Sequence, residues 1–310
     1  MNKAFHVIVA LLFMAQSGAS QSTGDKSVIR LDPGLDAIVA PDAQLEQLTD
    51  SPGAGTREGP VWSSKEEVLF YSDMGRKSIN RWNPRTNTVD VIQDSTNSDG
   101  LALDEQGRIL WAEGTGHIIR LEEDGKRTVL ASDSDSLPVK KPNDLIYKAD
   151  GSIYFTDTFK TNHRVYLLRK DGKLVLLDTN GMEYPNGLAL TPDGKYLYIN
   201  DSAKRTVVRF KLRQDGTIAD GKVIIDMKAC EFPCADGYPD GMKVDAKGNI
   251  YVTGAGGIWI TSPSGKHLGT ILVPDKPANL AFGGPDGKTL FFTARPGLYR
   301  MRMKVAGLKP

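Results

Sequence analysis

The sequence predicts an all-β fold, a six-bladed β-propeller with four-stranded blades that is closed by a strand from the N-terminal part of the chain. Six similar segments recur at intervals of 41, 44, 43, 54 and 39 residues, close to the length of one propeller blade. Each interval holds apolar runs and polar turns for about four strands. After residue 20 there is no long amphipathic helix pattern, which a TIM barrel or a doubly wound sheet would require.

The repeated segment is itself a β-hairpin. In residues 58–73, an apolar run ends at a polar turn, and a second run ends on an acid. Other strand pairs, such as "HIIRLEEDGKRTVLA" and "RVYLLRKDGKLVLLD", turn at "DGK", which is typical of hairpins. The six segments are "REGPVWSSKEEVLFYSD", "NSDGLALDEQGRILWAE", "KPNDLIYKADGSIYFTD", "YPNGLALTPDGKYLYIND", "YPDGMKVDAKGNIYVTG" and "PANLAFGGPDGKTLFFTA".

The ends of the repeat predict how the ring closes. The last repeat ends early, at "GLYRMRMKV", so its blade lacks an outer strand. The segment "LDAIVAPDAQLEQLTD" precedes the first repeat. We expect this segment to supply the missing strand and lock the first blade to the last.

The N-terminus has the pattern of a secretory signal peptide over residues 1–20, with a lysine, an apolar stretch and then small residues. The apolar stretch is short for a membrane span. An amphipathic N-terminal helix is the alternative. We therefore expect residues 21–310 to form a single propeller domain, secreted, most simply to a bacterial periplasm, with no membrane anchor after cleavage.

The net charge bears on possible binding partners, and the cysteines bear on a possible disulfide. The formal net charge is +1, so nothing favours nucleic acid or an anionic membrane surface. Both cysteines lie in "CEFPC", as Cys230 and Cys234. In an oxidising compartment they would form a local disulfide, and a free pair is the alternative. The oligomeric state is not predicted.

Acidic or amide residues begin every predicted inner strand. Inner strands of a propeller all start at one face, so we expect these six side chains to ring one mouth of the central channel. Carboxylate and amide oxygens are the ligands that hard divalent cations such as Ca²⁺ prefer. The alternative is that Asn and Asp simply suit turns. The residues are Glu58, Asp99, Asn143, Asn186, Asp240 and Asn279.

A second set of acids ends the returning strands: Asp73, Glu113, Asp157 and Asp201. They should lie near the same mouth, one layer further out, where they would orient ligands, bind substrate or be solvated. The interval of 54 residues contains the insertion "DMKACEFPCADGY", a substrate-shaping loop or a tolerated surface insertion.

Four motifs, "EGPVW", "PNDL", "PNGLAL" and "PDGMKVDAKGNIYV", resemble the senescence-marker/gluconolactonase/luciferin-regenerating-enzyme family over about Gly55 to Arg300. The resemblance implies a six-bladed propeller with a divalent metal in its channel and, in some members, hydrolysis of sugar lactones. It assigns the metal ligands to Glu58, Asn186 and Asp240.

The resemblance also assigns roles around the metal. Asn143 matches an Asn that contacts substrate or water, and Lys141 stands where some members hold substrate with an Arg. Four further residues are expected to contact the metal ligands without binding the metal themselves. They are Asp99, Asp144, Asp201 and Asn279.

The functional hypothesis is a metal-dependent hydrolase that opens a sugar lactone, such as glucono-1,5-lactone, to the aldonic acid. The metal, Ca²⁺ first and Zn²⁺, Mg²⁺ or Mn²⁺ as alternatives, would act as a Lewis acid. Asp240 would be both ligand and general base, with Asp144 or Asp201 as alternative bases. Other esters, aromatic lactones or phosphotriesters are alternative substrates on the same scaffold. A non-enzymatic binding propeller is the third reading, and it predicts a mouth without a charged ring.

Overall fold

A computed structural model describes residues 27–49, 55–133, 137–160, 163–228, 237–295 and 297–308. The predicted signal peptide, residues 1–20, and the predicted disulfide of Cys230 and Cys234 lie outside these ranges. Within these ranges, no helix has the length and apolar character needed to cross a membrane.

The described residues form six antiparallel sheets, two of which include a short strand from the N-terminal part, and one 3-10 helix lies between these two strands. The N-terminal part contains β1 (Val28–Arg30), the 3-10 helix (Pro33–Ala37) and β2 (Leu45–Thr49). Blade 1 contains β3 (Arg57–Ser63), β4 (Val68–Asp73), β5 (Ser78–Asn83) and β6 (Thr88–Gln93). Blade 2 contains β7 (Ser98–Leu103), β8 (Ile109–Glu113), β9 (His117–Leu121) and β10 (Arg127–Ser132). Blade 3 contains β11 (Pro142–Tyr147), β12 (Ile153–Asp157), β13 (Arg164–Leu168) and β14 (Leu174–Leu177).

The remaining blades follow the same order from the inside outward. Blade 4 contains β15 (Pro185–Leu190), β16 (Tyr196–Asp201), β17 (Thr206–Leu212) and β18 (Ile218–Asp226). Blade 5 contains β19 (Met242–Val244), β20 (Ile250–Gly254), β21 (Gly257–Thr261) and β22 (His267–Leu272). Blade 6 contains β23 (Pro277–Gly283), β24 (Thr289–Ala294) and β25 (Leu298–Arg302). The innermost strands of neighbouring blades contact each other, and β23 contacts β3, so the six blades form a closed ring around a channel. The predicted six-bladed propeller is confirmed.

The N-terminal part closes the ring as predicted and also adds an unpredicted strand. β2 pairs antiparallel with β25 and is the outer strand of blade 6. β1 pairs with β22, so blade 5 has five strands where four were expected. Between these strands, Leu35 and Val39 are fully buried against blades 5 and 6. Both N-terminal strands therefore cover sheet edges that would otherwise be exposed.

Aromatic packing fills the seam between the last blade and the first. Trp62 of β3 stacks on Phe291 of β24, with ring centroids 5.4 Å apart, and Trp82 meets the same phenylalanine edge-on at 5.9 Å. These rings pack with Leu298 of β25, the strand that β2 covers. Because such rings bury large apolar areas in specific geometries, this seam stabilises the closure.

The two ends of the channel differ in chemistry. At the end where the inner strands finish, a cavity of about 170 Å³ is lined almost entirely by apolar side chains from all six blades, with Lys243 as its one charged wall residue. Apart from that lysine and Tyr147, no ionisable side chain of the described residues lines this cavity. The polar groups expected for chemistry lie at the opposite end, where the inner strands begin.

We expect a chain that begins at residue 50 to unfold at a lower temperature than one that begins at residue 27. Without β1 and β2, the outer edges of β22 and β25 lose their partners and become templates for association. Thermal unfolding should show a loss of at least about 5 °C, and size-exclusion chromatography should show self-association. Equal unfolding temperatures and purely monomeric elution would contradict this account of closure.

Candidate functional site

Each inner strand begins with an irregularity that aims side chains at the channel mouth. The pairing register shifts near the start of five of the six inner strands, for example between Glu58 and Val61 of β3 and between Pro185 and Leu188 of β15. A bulge of this kind bends its strand and redirects the side chain at the shift. The strand starts thus project polar groups inward, where a regular strand would alternate.

The predicted ring forms from five of its six members. Asn143 donates its amide N–H to Asp99 Oδ2 at 2.7 Å. The Asn186 side chain hydrogen bonds to the Asp240 carboxylate. Glu58 lies within electrostatic reach of both Asp240 and Asp99. These five side chains, from blades 1 to 5, therefore meet at one mouth.

The sixth predicted member, Asn279, is displaced by one residue. Two backbone contacts show that Ala278 is the true equivalent of Asp240, because each accepts a hydrogen bond from a glycine N–H of the preceding inner strand, at 2.7 and 3.0 Å. In the comparison of the six repeated segments, Asn279 was matched to Asp240 because both are acidic or amide residues. That match is one residue out of register. The prediction that Asn279 belongs to the ring itself is therefore corrected, since it lies one position further along its strand.

Asn279 instead occupies the position that Asp144 occupies in blade 3. Each side chain accepts a hydrogen bond at 2.9 Å from the backbone N–H of the following leucine, and each backbone N–H donates to a threonine hydroxyl of the next strand. The two side chains also meet, with Asn279 Nδ2 donating to Asp144 Oδ2 at 3.4 Å. They fill the channel next to the ring, and the indirect role expected of both stays a prediction.

Glycine at the equivalent position of the other blades makes room for this pair. A Cβ atom on Gly100 would lie 2.5 Å from Asp144 Oδ1, and one on Gly241 would collide with Asn279 Oδ1. Real Cβ atoms do not approach so closely, so these glycines are required by the close approach of neighbouring strands.

Burial in a cluster of like charges raises the pKa values of the carboxyls at the mouth. Desolvation is the largest cause for each of them. The pKa values of Glu58 and Asp99 rise well above their usual range, partly because of the Asp240 charge. The pKa of Asp144 is also raised, and that of Asp240 reaches about 7. Asp240 and Asn143 keep partial solvent exposure, whereas Glu58 and Asp99 are buried.

Four basic side chains oppose these acids. Lys141 lowers the pKa of Asp99, and Lys243 lowers that of Asp144. Lys276 and Arg295 act in the same direction on Asp240. They do not overcome the effect of burial, because all three of these pKa values remain raised.

The acids at the ends of the returning strands have a structural role. Asp157 accepts backbone N–H groups of Lys140 at 2.6 Å and Lys141 at 3.1 Å, in the loop that leads into β11. Glu113 likewise accepts the N–H of Asn97 at 2.6 Å and the indole N–H of Trp111. These carboxylates fix the loops from which the ring residues project.

Asp201 belongs to the same class and is not placed as a general base. Its carboxylate accepts four backbone N–H groups, at 2.7 to 3.1 Å, from the residues at 183, 184, 203 and 204. It is fully buried. Asp201 therefore braces the loop before Asn186, which corrects its assignment as an alternative base and agrees with its indirect role.

The predicted metal ligands have suitable chemistry for a hard cation. The hydrogen bond from the Asn186 amide to Asp240 leaves its carbonyl oxygen free to coordinate, alongside the carboxylates of Glu58 and Asp240. Within the described ranges, no three His, Cys, Asp or Glu side chains converge as a metal site, so the predicted set depends on an amide oxygen. Burial and the charges of neighbouring carboxyls both raise the pKa values of Glu58 and Asp240. A divalent cation between these carboxylates would offset their mutual repulsion.

A family model described as SMP-30/Gluconolactonase/LRE-like region matches residues 56–295, well over half of the chain. The chain belongs to this family. The resemblance drawn from the four motifs is thus confirmed.

Several relatives are named as lactonases, and others are named regucalcin. The chain is 28% identical to a gluconolactonase of Zymomonas mobilis, over 94% of its own length and 90% of the relative's. It is 31% identical to a pentonolactonase of Haloferax volcanii, over 77% and 81%. Among solved structures, a gluconolactonase from Xanthomonas campestris matches with a TM-score of 0.80 and 29% identity, over 89% of this chain and 94% of that one.

Sequence analysis missed several residues at the rim of the mouth. A lysine or tyrosine followed by proline leads into the inner strands of blades 3 to 6, as "KPN", "YPN", "YPD" and "KPA". This pattern was visible in the sequence. Only its first member, Lys141, was assigned a role, because the resemblance drew attention to that position alone.

We expect the metal-free protein to lose stability as the pH rises. Asp240 has a folded-state pKa of about 7 against an ordinary value of 3.8. Between these values the folded protein retains a proton that the unfolded chain has released. This contribution is therefore fully present below about pH 4 and is lost as the pH rises through about pH 7.

Asp240→Asn should therefore stabilise EDTA-treated protein at about pH 7.5 by about 4 kcal/mol, or about 8–16 °C in melting temperature. The difference should nearly vanish at about pH 4, where the carboxyl is already protonated. Thermal unfolding at both pH values measures it. Glu123→Gln, which removes an exposed acid, is the matched control and should change neither value. An equal effect of Asp240→Asn at both pH values would contradict the electrostatic account.

Proposed function

We propose that the protein is a metal-dependent hydrolase that opens a sugar lactone, such as glucono-1,5-lactone, to the aldonic acid. The observation that carries the proposal is the buried ring of carboxylates with raised pKa values at an accessible channel mouth. Perturbed acids in a cleft are typical of catalytic and metal sites. Family membership supports lactone hydrolysis, since several of the relatives above are named for it.

Glu58, Asn186 and Asp240 would hold the cation, with Ca²⁺ as the first candidate because all three offer oxygen donors. Zn²⁺, Mg²⁺ and Mn²⁺ are alternatives. When bound, such an ion supplies Lewis-acid stabilisation for the charge that develops on the carbonyl oxygen. The four motifs and the ring composition support this assignment.

The chain's own residues orient the reaction. Water adds to the lactone carbonyl, the ring C–O bond breaks, and the released alkoxide takes up a proton. Asp240 is the ring carboxylate with solvent access, so it is the best placed to accept the proton from the attacking water. Asp144 is more deeply buried and is engaged by Leu145 N–H and Asn279, which makes it the weaker candidate.

Asn143 is positioned to contact the substrate. Its amide N–H is held by Asp99, which leaves its carbonyl oxygen to accept a hydrogen bond from a sugar hydroxyl or from water. Its partial exposure at the mouth fits such a contact. Lys141, exposed beside it, would offer a cation to the same substrate.

We also propose that the protein is secreted to a periplasm after removal of residues 1–20, and that Cys230 and Cys234 form a disulfide there. The residue pattern of the N-terminus and the short Cys spacing support these proposals.

The direct test follows proton release from glucono-1,5-lactone with EDTA-stripped protein and added Ca²⁺, Mg²⁺, Mn²⁺ or Zn²⁺. We expect one of these metals to restore turnover well above spontaneous hydrolysis. Glu58→Gln and Asp240→Asn should each lower kcat/KM by at least about 100-fold.

Asn143→Ala separates substrate binding from metal binding. We expect it to lower kcat/KM by about tenfold while metal affinity stays within about threefold of the wild type. A metal-replete protein without lactonase activity would overturn the proposal and favour an ester or phosphotriester substrate. A protein that binds no metal would favour the binding-module alternative.

A further inference from the structure

The rim of the mouth carries a repeated pair of residues that the proposed chemistry does not use. The inner strands of blades 3, 4 and 6 begin at a buried proline, and in blade 5 the buried Pro239 lies three residues before the inner strand. Proline fixes its own φ and restricts the preceding residue to an extended backbone, so the preceding side chain has a defined direction. These preceding residues are Lys141, Tyr184, Tyr238 and Lys276.

Hydrogen bonds hold two of these rim positions firmly. The backbone N–H of Lys141 donates to Asp157 at 3.1 Å, and its carbonyl accepts the N–H of Thr158 at 2.9 Å. Tyr184 is held in the same way, by Asp201 at 3.1 Å and by the N–H of Ser202 at 2.9 Å. The rim is therefore a built surface in which side chains are presented from a fixed backbone.

Two of the four rim residues, Tyr184 and Tyr238, are aromatic. Tyr184 and Tyr238 come from neighbouring blades, and each has a further ring or cation against it. His163 packs on Tyr184 with ring centroids 4.3 Å apart, and Lys276 Nζ lies 3.6 Å from the centroid of the Tyr238 ring. Aromatic rings with a polar edge beside a charged mouth suit the apolar face of a sugar ring.

One side of the rim is cationic. Pro277 pairs with Ala294, so Lys276, which precedes the first, and Arg295, which follows the second, come together at the mouth of blade 6. Both side chains are exposed. Neither forms an ion pair within the described part of the chain.

The charge at the mouth exceeds what the ring requires. Deeper in the channel, Asp144 and Lys243 offset each other. At the mouth itself three carboxylates face three basic side chains, so the cluster is balanced when all are ionised: Glu58, Asp99 and Asp240 against Lys141, Lys276 and Arg295. A divalent cation held by the ring would leave an excess of two positive charges. A neutral lactone has no group that matches this excess, whereas an anionic one does.

We propose that the lactone bound at this mouth carries a second, anionic group remote from its ring ester, and that Lys276 and Arg295 bind this group while Tyr184 and Tyr238 contact the sugar ring. The inference rests on the proposed function for the ester that is opened. The substrate class is a sugar lactone with a terminal phosphate or carboxylate. Arg295 presents a planar fork of N–H donors that suits either group.

Binding of open-chain products tests the proposal without requiring turnover. Titration calorimetry compares gluconate, gluconate 6-phosphate and glucarate on metal-replete and on EDTA-treated protein. We expect at least one of the two sugars with a second anionic group to bind about tenfold or more tightly than gluconate, since charge-assisted hydrogen bonds are worth about that factor. The stronger of the two identifies phosphate or carboxylate as the recognised group.

Lys276→Met and Arg295→Gln should each remove most of that preference and change the Kd of gluconate by less than about threefold. Lys247→Met removes an exposed lysine from the opposite face of blade 5 and should retain the preference. Equal Kd values for all three sugars would overturn the proposal. So would variants that weaken all three equally, because the cations would then serve the carboxylate that all three share.

The proposed function fails separately, through absent hydrolysis of glucono-1,5-lactone by metal-replete protein. A preference for a sugar with a second anionic group that depends on Lys276 would still establish the anion subsite in that case. Hydrolysis of the neutral lactone together with equal Kd values would retain the proposed function and reject this inference.

Discussion

The site depends on one electrostatic constraint, which is that four carboxyls share the narrow mouth of a protein channel. Ring closure brings Glu58, Asp99 and Asp240 to one face, and Asp144 lies next to them in the channel. Burial away from water makes their ionised forms costly, and their mutual repulsion adds to that cost. Protons, the surrounding basic side chains or a divalent cation can relieve it. The fold therefore keeps a cluster of buried carboxyls at the expense of stability.

The acids near this mouth form two layers that differ in their hydrogen bonding. In the inner layer, Asp99 accepts a hydrogen bond from the Asn143 amide and Asp240 is hydrogen bonded to the Asn186 side chain. The outer layer, represented by Asp157 and Asp201, is saturated by backbone N–H groups and holds the loops that lead into the inner strands. The acids that end the returning strands of blades 2 to 4 thus account for the rigidity of the loops that carry the ring residues. A rigid support of this kind is what precise positioning of a reactive group requires.

The fold was predictable because its repeat is long, regular and rich in hairpin turns. The site was predictable where residue type and register agree, as for Glu58 and Asn186. Asn279 was misplaced because an Asn one position late looks the same to a composition match, and only the backbone contacts of Ala278 reveal the offset. β1 was missed because three residues carry too little pattern for a strand. Lys243 could not be found from the repeat, since it reaches Asp144 from within an inner strand.

The most direct test of the central claim is the number of protons released when the ring binds a cation. Titration calorimetry of EDTA-stripped protein with CaCl₂, in buffers of different ionisation enthalpy, measures binding and proton release together. The account predicts saturable binding of about one ion per chain, with release of about one proton or more at about pH 6 and less at about pH 8, because carboxyls with raised pKa values must deprotonate to bind. Absence of saturable binding would contradict this account. So would binding that releases no proton and has the same affinity in Glu58→Gln as in the wild type.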